Sequence, residues 1–223
     1  METRLYGGFG FIQPCPEDPT RVWKILPRNT TSARLAEHEF DTMRLLCHHN
    51  VVQAHFLLTE QERSCILMDA AGYDLVHRFP SHANAGDIFA QIVAGVTHMH
   101  ERRVAHRDLK MENVLLDETG RVRIIDFGLS TVVPAERVGD RVCDTGLGSR
   151  AYAAPEVWLG PYDPFKSDVW AMGIVAYALA LERLPFVCTR ADDRFESFRT
   201  LVRTGHTPTD ALVCMYKLKS EDV

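Results

Sequence analysis

The chain has 223 residues, of which 46% are hydrophobic and 25% charged, with a net charge of −5. That length buries a sizeable core in one large domain or two small lobes, and the composition excludes a disordered or fibrous protein. The acidic balance argues against a nucleic-acid partner, whose phosphate backbone favours a basic surface.

The six cysteines, at 15, 47, 65, 143, 188 and 214, have no CxxC spacing, and no histidine set completes a zinc site. They are expected to be reduced thiols of an intracellular protein, cytoplasmic or nuclear. The opening METRLYGGFGFIQ lacks the apolar run of a secretory signal. The most apolar stretch, residues 169–181, is shorter than the roughly 20 residues a membrane helix needs. It is expected to be a buried core helix, and no membrane partner is expected.

In chain order, residues 5–6, 9–13 and 21–26 read as short strands, with 14–19 as a turn. Ser32 is placed to cap a helix running to about residue 46. Leu35, Glu39, Met43 and Leu46 recur at helical spacing and share one face. Glu39 therefore sits in the middle of an apolar face, where an unpaired carboxylate is costly, while Glu37 points to solvent. Residues 51–58 and 64–68 read as two further strands around the charged turn 59–63. The Ala-Ala-Gly within residues 69–74 breaks the pattern and marks a boundary between two parts.

The second part reads as mainly helical. Residues 87–101 carry Ile88, Ile92, Val96 and Met99 at helical spacing, and strands at 114–116 and 121–125 flank the turn 117–120. A polar loop at 126–155 follows, of a length that usually signals function. After it come a helix from about residue 167 and weaker helical stretches near 192–203 and 209–219. There are no internal repeats and no low-complexity segments.

The stretch HRDLKMEN, His106 to Asn113, places a carboxylate, an ammonium and a carboxamide between the apolar steps Val104-Ala105 and Val114-Leu115-Leu116. Asp126-Phe127-Gly128 follows the apolar strand at 121–125, and Ala154-Pro155-Glu156 closes the long loop. Lys24 lies in the apolar strand VWKIL, with Glu39 on the helix after it. HRDLKxxN, DFG and APE in this order and spacing resemble the eukaryotic protein kinases, and Lys110 after Asp108-Leu109 is similar to the serine/threonine branch. The resemblance covers about residues 5–203. Its compactness is similar to kinases encoded by large DNA viruses.

The resemblance implies an α+β bilobal fold in a single kinase domain, 1–223: an antiparallel-sheet N-lobe with one helix (about 1–69), a hinge (about 69–74) and a helical C-lobe (about 75–223), shortened at its end. It implies ATP and Mg2+ as nucleotide and cofactor, and protein Ser/Thr hydroxyls as acceptors. Phosphoryl transfer needs positioning and charge neutralisation more than covalent help. By resemblance Asp108 accepts the hydroxyl proton, Lys110 steadies the transferring group, and Asn113 and Asp126 offer hard oxygens to Mg2+. Lys24 grips the inner phosphates and Glu39 holds Lys24. LYGGFGFI aligns with the glycine-rich loop, with Gly7, Gly10 and Ile12 at its second glycine, third glycine and valine; Leu5 stands where the first glycine is usual. Met68 aligns with the residue behind the adenine pocket, and Asp69 to Ala71 with the hinge backbone that binds adenine. Asp74 falls where a ribose-side carboxylate is common, and equally reads as a helix cap.

Ser149 aligns with the Ser/Thr placed beside the catalytic Asp and Lys. Thr145 aligns with an activating phosphosite whose phosphate Arg107 would pair with, put there by an upstream kinase or by autophosphorylation. Asp168 matches a buried aspartate that hydrogen-bonds the catalytic-loop backbone, and Glu112 a residue that reads basic side chains upstream of the target. Glu156 is expected to be buried and to need an arginine, with Arg199 and Arg203 as candidates. The alternative is a pseudokinase scaffold, favoured only by Leu5 and the short end; Lys24, Asp108, Asn113 and Asp126 all oppose it.

Overall fold

The computed structural model describes residues 5–7, 10–27, 30–61, 63–80, 82–144, 146–158 and 160–185. The expected helices near 192–203 and 209–219, Thr145, and the candidate partners Arg199 and Arg203 lie outside the described residues.

The first half is a five-stranded antiparallel sheet made of β1 (Leu5–Gly7), β2 (Gly10–Pro14), β3 (Arg21–Pro27), β4 (Ala54–Thr59) and β5 (Arg63–Asp69), ordered β1-β2-β3-β5-β4. Helix α1 (Thr30–Arg44) packs against it. In β3, Val22, Lys24 and Leu26 project to one face by strand periodicity, and Leu26 is part of the core there with Met43 and Leu46 from α1 and the turn after it. Lys24 is thereby carried into an apolar setting, opposite Ile12 on β2 and Ile66 on β5.

The second half is mainly helical, built on α2 (His82–Glu101) and α3 (Pro164–Leu181). Its short strands are β6 (Tyr73–Asp74), β7 (Val104–Ala105), β8 (Val114–Leu116), β9 (Val122–Ile124) and β10 (Thr131–Val132), arranged as β6-β8-β9 and β10-β7. One apolar cluster runs through both halves and includes Leu26, Met43, Ile66, Leu75, Ile92, Ile124 and Phe127. Among the described residues, no helix is long and apolar enough to cross a membrane.

Several expectations shift. α1 begins at Thr30, so Ser32 lies in its first turn rather than at its cap. β4 begins at Ala54 rather than at residue 51, because the buried Val51 and Val52 find partners across the lobe boundary. Val51 bridges Ile124, Val52 N–H donates to Ile124 O at 3.0 Å, and Ile124 N–H donates to Asn50 O at 2.9 Å. α2 begins at His82 rather than at residue 87, through an opening turn of mixed helix propensity that precedes the apolar periodicity starting at Ile88. α3 begins at Pro164, capped by Asp163, whose carboxylate accepts from Phe165 N–H at 3.0 Å. It is buried on one face only: Ile174 and Val175 are covered, while Val169 and Leu181 are exposed. The stretch 126–155 is not all loop, since β10 pairs with β7 inside it.

The hinge is pinned on both sides. Gly72 has φ +94°, and a Cβ there would collide with the Leu116 carbonyl, so only glycine fits between β6 and β8. Arg123 on β9 donates to the Ala70 carbonyl at 3.2 Å.

Candidate active site

The centre of the site is an ammonium between two carboxylates. Lys24 Nζ donates to Glu39 Oε1 and Oε2 at 2.7 and 2.8 Å, and to Asp126 Oδ1 at 2.9 Å. Lys24 is 7% and Glu39 2% exposed. Burial alone would discharge the Lys24 amine, but Glu39 and Asp126 outweigh it and hold the amine well above its usual range. Burial pushes the Glu39 carboxyl up against the pull of Lys24, and the second carboxylate adds to the push. Burial also pushes Asp126 up, yet the Lys24 charge and hydrogen bond win and keep it below the usual carboxylate range. Glu39 reaches Lys24 because the α1 face that carries Ala36 and Met43 into the core carries it too.

Asp126 has φ +67°, a left-handed conformation that Asp tolerates better than most residues. That turn lets Phe127 swing into the core, fully buried against the His106 ring at 5.1 Å, while the carboxylate faces Lys24.

The second cluster belongs to the HRDLKMEN stretch. Asp108 Oδ2 accepts from Lys110 Nζ at 2.8 Å, and Oδ1 accepts from Ser149 N–H at 2.8 Å. Lys110 Nζ also donates to Ser149 Oγ at 3.0 Å. Asn113 Nδ2 donates to the Asp108 carbonyl at 2.8 Å, which turns its amide oxygen away from Asp108. A Cβ on Gly148 (φ +96°) would lie 2.7 Å from the Arg107 carbonyl, so glycine is what lets Ser149 come this close. The loop hangs from α3: Asp168 Oδ2 accepts from His106 N–H and Oδ1 from Arg107 N–H, both at 2.8 Å. Asp168 is 1% exposed, and His100 Nε2 lies 3.0 Å from its Oδ2.

The remaining expected residues are more dispersed. Gly7 and Gly10 pair across β1 and β2, with residues 8–9 between them outside the described residues. A Cβ on Gly10 would meet the Ile25 carbonyl, so strand packing already demands glycine there. Ile12 lies beside Lys24 on the neighbouring strand, half-buried. Met68 is buried at the end of β5. Asp69 closes β5 and its side chain is 2.6 Å from His55 Nε2, while Ala71 is buried. Asp74 caps a turn rather than a helix: its Oδ1 accepts from Val76 and His77 N–H at 3.0 and 2.9 Å in the turn that follows β6. Glu156 is exposed, its neighbours Pro155 and Val157 taking the inward positions of a short 3-10 turn, and the arginines expected to meet it lie outside the described residues.

Sequence reasoning missed the direct Lys24–Asp126 contact, the Arg123–Ala70 link and the Arg107–Tyr162 hydrogen bond, at 3.1 Å. All three join residues distant in sequence, with no spacing signal between them.

A two-lobed fold with a lysine–glutamate pair in the sheet lobe and an HRD-type loop slung from the buried Asp168 of α3 defines a protein kinase. The protein kinase domain family matches residues 8–217, and the chain belongs to that family. CBL-interacting protein kinase 25 of Oryza sativa subsp. japonica is 37% identical over 167 residues, 70% of this chain and 32% of that protein. Testis-specific serine/threonine-protein kinase 4 of Homo sapiens is 35% identical over 167 residues, 66% of this chain and 51% of that protein. CBL-interacting serine/threonine-protein kinase 15 of Arabidopsis thaliana is 38% identical over 156 residues, 67% and 37%. The chain thus spans between about a third and a half of the length of these relatives.

Proposed function

We propose that the chain is a protein serine/threonine kinase that transfers the γ-phosphoryl group of ATP to protein hydroxyls. The observation that carries this reading is the coexistence of two intact clusters, Lys24–Glu39–Asp126 and Asp108–Lys110–Asn113–Ser149. Family membership supports ATP and a divalent cation in general, and the names of the relatives support the serine/threonine class.

The donor set fits Mg2+. Among the described residues no three His, Cys, Asp or Glu side chains form a metal cage. Asp126, held ionised, and the free face of the Asn113 carboxamide offer two hard oxygens, which suits an ion that keeps water and phosphate as its other ligands. Bound there, Mg2+ would offset phosphate charge.

In this reading Asp108 orients the acceptor hydroxyl and takes its proton, while Lys110 and Ser149 hold the carboxylate in place. Lys24 has three N–H donors, and Glu39 and Asp126 occupy all three. Gripping a phosphate therefore requires one carboxylate to let go. Asp126, with a side chain 23% exposed against 2% for Glu39, is the one free to turn toward the cleft. Ile12 and Met68 would border the adenine, the hinge backbone at Asp69 and Ala71 would pair with it, and Gly7 and Gly10 would lie over the phosphates.

The test is radiolabel transfer from ATP to a generic basic protein. Asp108→Asn should keep the fold and lose about 10²–10⁴ in rate, the usual contribution of a positioned base. Equal silence of folded wild type and variant would favour the pseudokinase scaffold instead.

A further inference from the structure

Arg107 is the residue expected to wait for a phosphate on Thr145, yet in the structure its guanidinium is engaged from two sides. Nε donates to the Tyr162 hydroxyl at 3.1 Å, with the guanidinium carbon 5.9 Å from the ring centroid, and Nη1 lies 3.4 Å from the Leu129 carbonyl. Tyr162 is 2% exposed. Its backbone is locked to the long loop by a bridge: Cys143 N–H donates to Tyr162 O at 3.3 Å and Tyr162 N–H to Cys143 O at 3.0 Å. The next residue, Asp163, caps α3, the helix whose Asp168 holds the backbone N–H of Arg107. Arg107 is therefore held at its backbone by Asp168 of α3 and at its side chain by Tyr162, just before that helix, and Leu129, although its φ of +68° is unfavourable for a long side chain.

The consequence is visible downstream. Ser149 already donates to Asp108, Lys110 already reaches Ser149, and Gly146 N–H donates to Val157 O at 3.1 Å. The loop on both sides of residue 145 is thus tied to the body of the lobe, through Cys143 before it and through Gly146 and Ser149 after it. Burial pushes the Tyr162 phenol up in spite of Arg107, so it stays a neutral hydroxyl able to accept from the guanidinium.

We propose that Tyr162 is a positioning residue: its hydroxyl occupies Arg107 as a phosphate otherwise would, so the catalytic loop is assembled without modification of Thr145. This rests on the kinase reading given above. A hydroxyl does this where Phe cannot, because a partly buried guanidinium needs an acceptor as well as a ring face.

The experiment uses the full chain, phosphatase-treated and shown by mass to carry no phosphate. Thr145→Ala should transfer phosphate within about twofold of wild type. Tyr162→Phe should lose roughly tenfold in kcat, the order expected for a hydrogen bond to a charged group, with KM for ATP within about twofold. Thr145→Glu placed in the Tyr162→Phe background should restore most of the loss. Amide hydrogen exchange at residues 106–110 gives a readout independent of catalysis: protection should be unchanged in Thr145→Ala and reduced in Tyr162→Phe. Loss of transfer and protection on Thr145→Ala would overturn the inference. So would a Tyr162→Phe protein with a lower melting temperature but wild-type kcat in its folded fraction. If protection follows the expected pattern while no chain transfers phosphate, the hold of Tyr162 on the loop is upheld and it is the kinase reading that fails.

Discussion

The two halves of the site solve the same problem, holding charge in a cleft, by different means. In the Lys24–Glu39–Asp126 group the partners are side chains on three separate elements, drawn together in an apolar interior. In the Asp108 group the carboxylate is steadied by a nearby lysine, a carboxamide and the backbone of Ser149, and Lys110 keeps a side chain 21% exposed. The first arrangement has no substitute for a missing member, because every charge in it depends on the others. The second spreads its support over several contacts, two from its own loop and one from Ser149, so losing one contact leaves the rest. Stability and catalysis should therefore separate: changes in the buried group should be felt in folding, and changes in the catalytic loop mainly in turnover.

The sharpest way to break that contrast is Lys24→Met. It leaves two carboxylates in a buried site without a cation, and breaking such a pair from one side costs about 3–5 kcal/mol. Urea unfolding should show a midpoint lowered accordingly, with nucleotide-dependent stabilisation lost. A small stability change, comparable to that of Asp108→Asn, would show that the triad is not the coupled unit described.

A pH series sharpens the contrast further, because the two carboxylates of the triad carry opposite slopes. Asp126 is depressed in the fold, so its contribution to stability is present above the ordinary Asp value, about 3.9, and is lost as pH falls through the lower folded value. Glu39 is raised, so its contribution is present below the ordinary Glu value, about 4.3, and is lost as pH rises through the higher folded value. The stability gap between wild type and Asp126→Asn should thus widen with rising pH, while that between wild type and Glu39→Gln should narrow. Denaturation at several pH values reads both; parallel slopes would contradict the division of charge among the three groups.

The smallest effect is expected at Ser149. Ser149→Ala removes the hydroxyl that Lys110 touches but keeps the backbone bond to Asp108, so about 0.5–1.5 kcal/mol of positioning is at stake, a few-fold in kcat. Ser149→Thr should retain activity, and unfolding midpoints should hardly move in either.

Much of this was legible in the chain itself. The five strands of the first half follow from alternation and turn signals, while the members of both clusters are picked out by the resemblance of their motifs to the protein kinases; the two-residue strands β6 and β10 carry no such signal. The misplacements share a cause. Residues 51–52 look like the start of β4, yet they pair with Ile124 because a buried backbone takes whichever partner the packed lobes bring near. Glu156 is expected to be buried from its place in the APE motif, but in the 3-10 turn from Pro155 its neighbours Pro155 and Val157 take the inward positions. Asp74 fitted two roles from sequence, and its carboxylate caps the backbone of Val76 and His77.

By itself, the sequence determined which groups are present and where along the chain they fall: a lysine in an apolar strand, a glutamate on an apolar helix face, and two carboxylate-bearing turns bounded by short strands. These are consequences of alternation, helical repeat and turn chemistry, all of which act over a few residues. Only the tertiary structure decided that Asp126 shares the ammonium of Lys24, that Arg107 is held by Tyr162, and that Arg123 ties down the hinge. Those contacts span 102, 55 and 53 residues of chain. No local pattern encodes such pairings, because each depends on how distant segments pack together and on which charges are thereby removed from water.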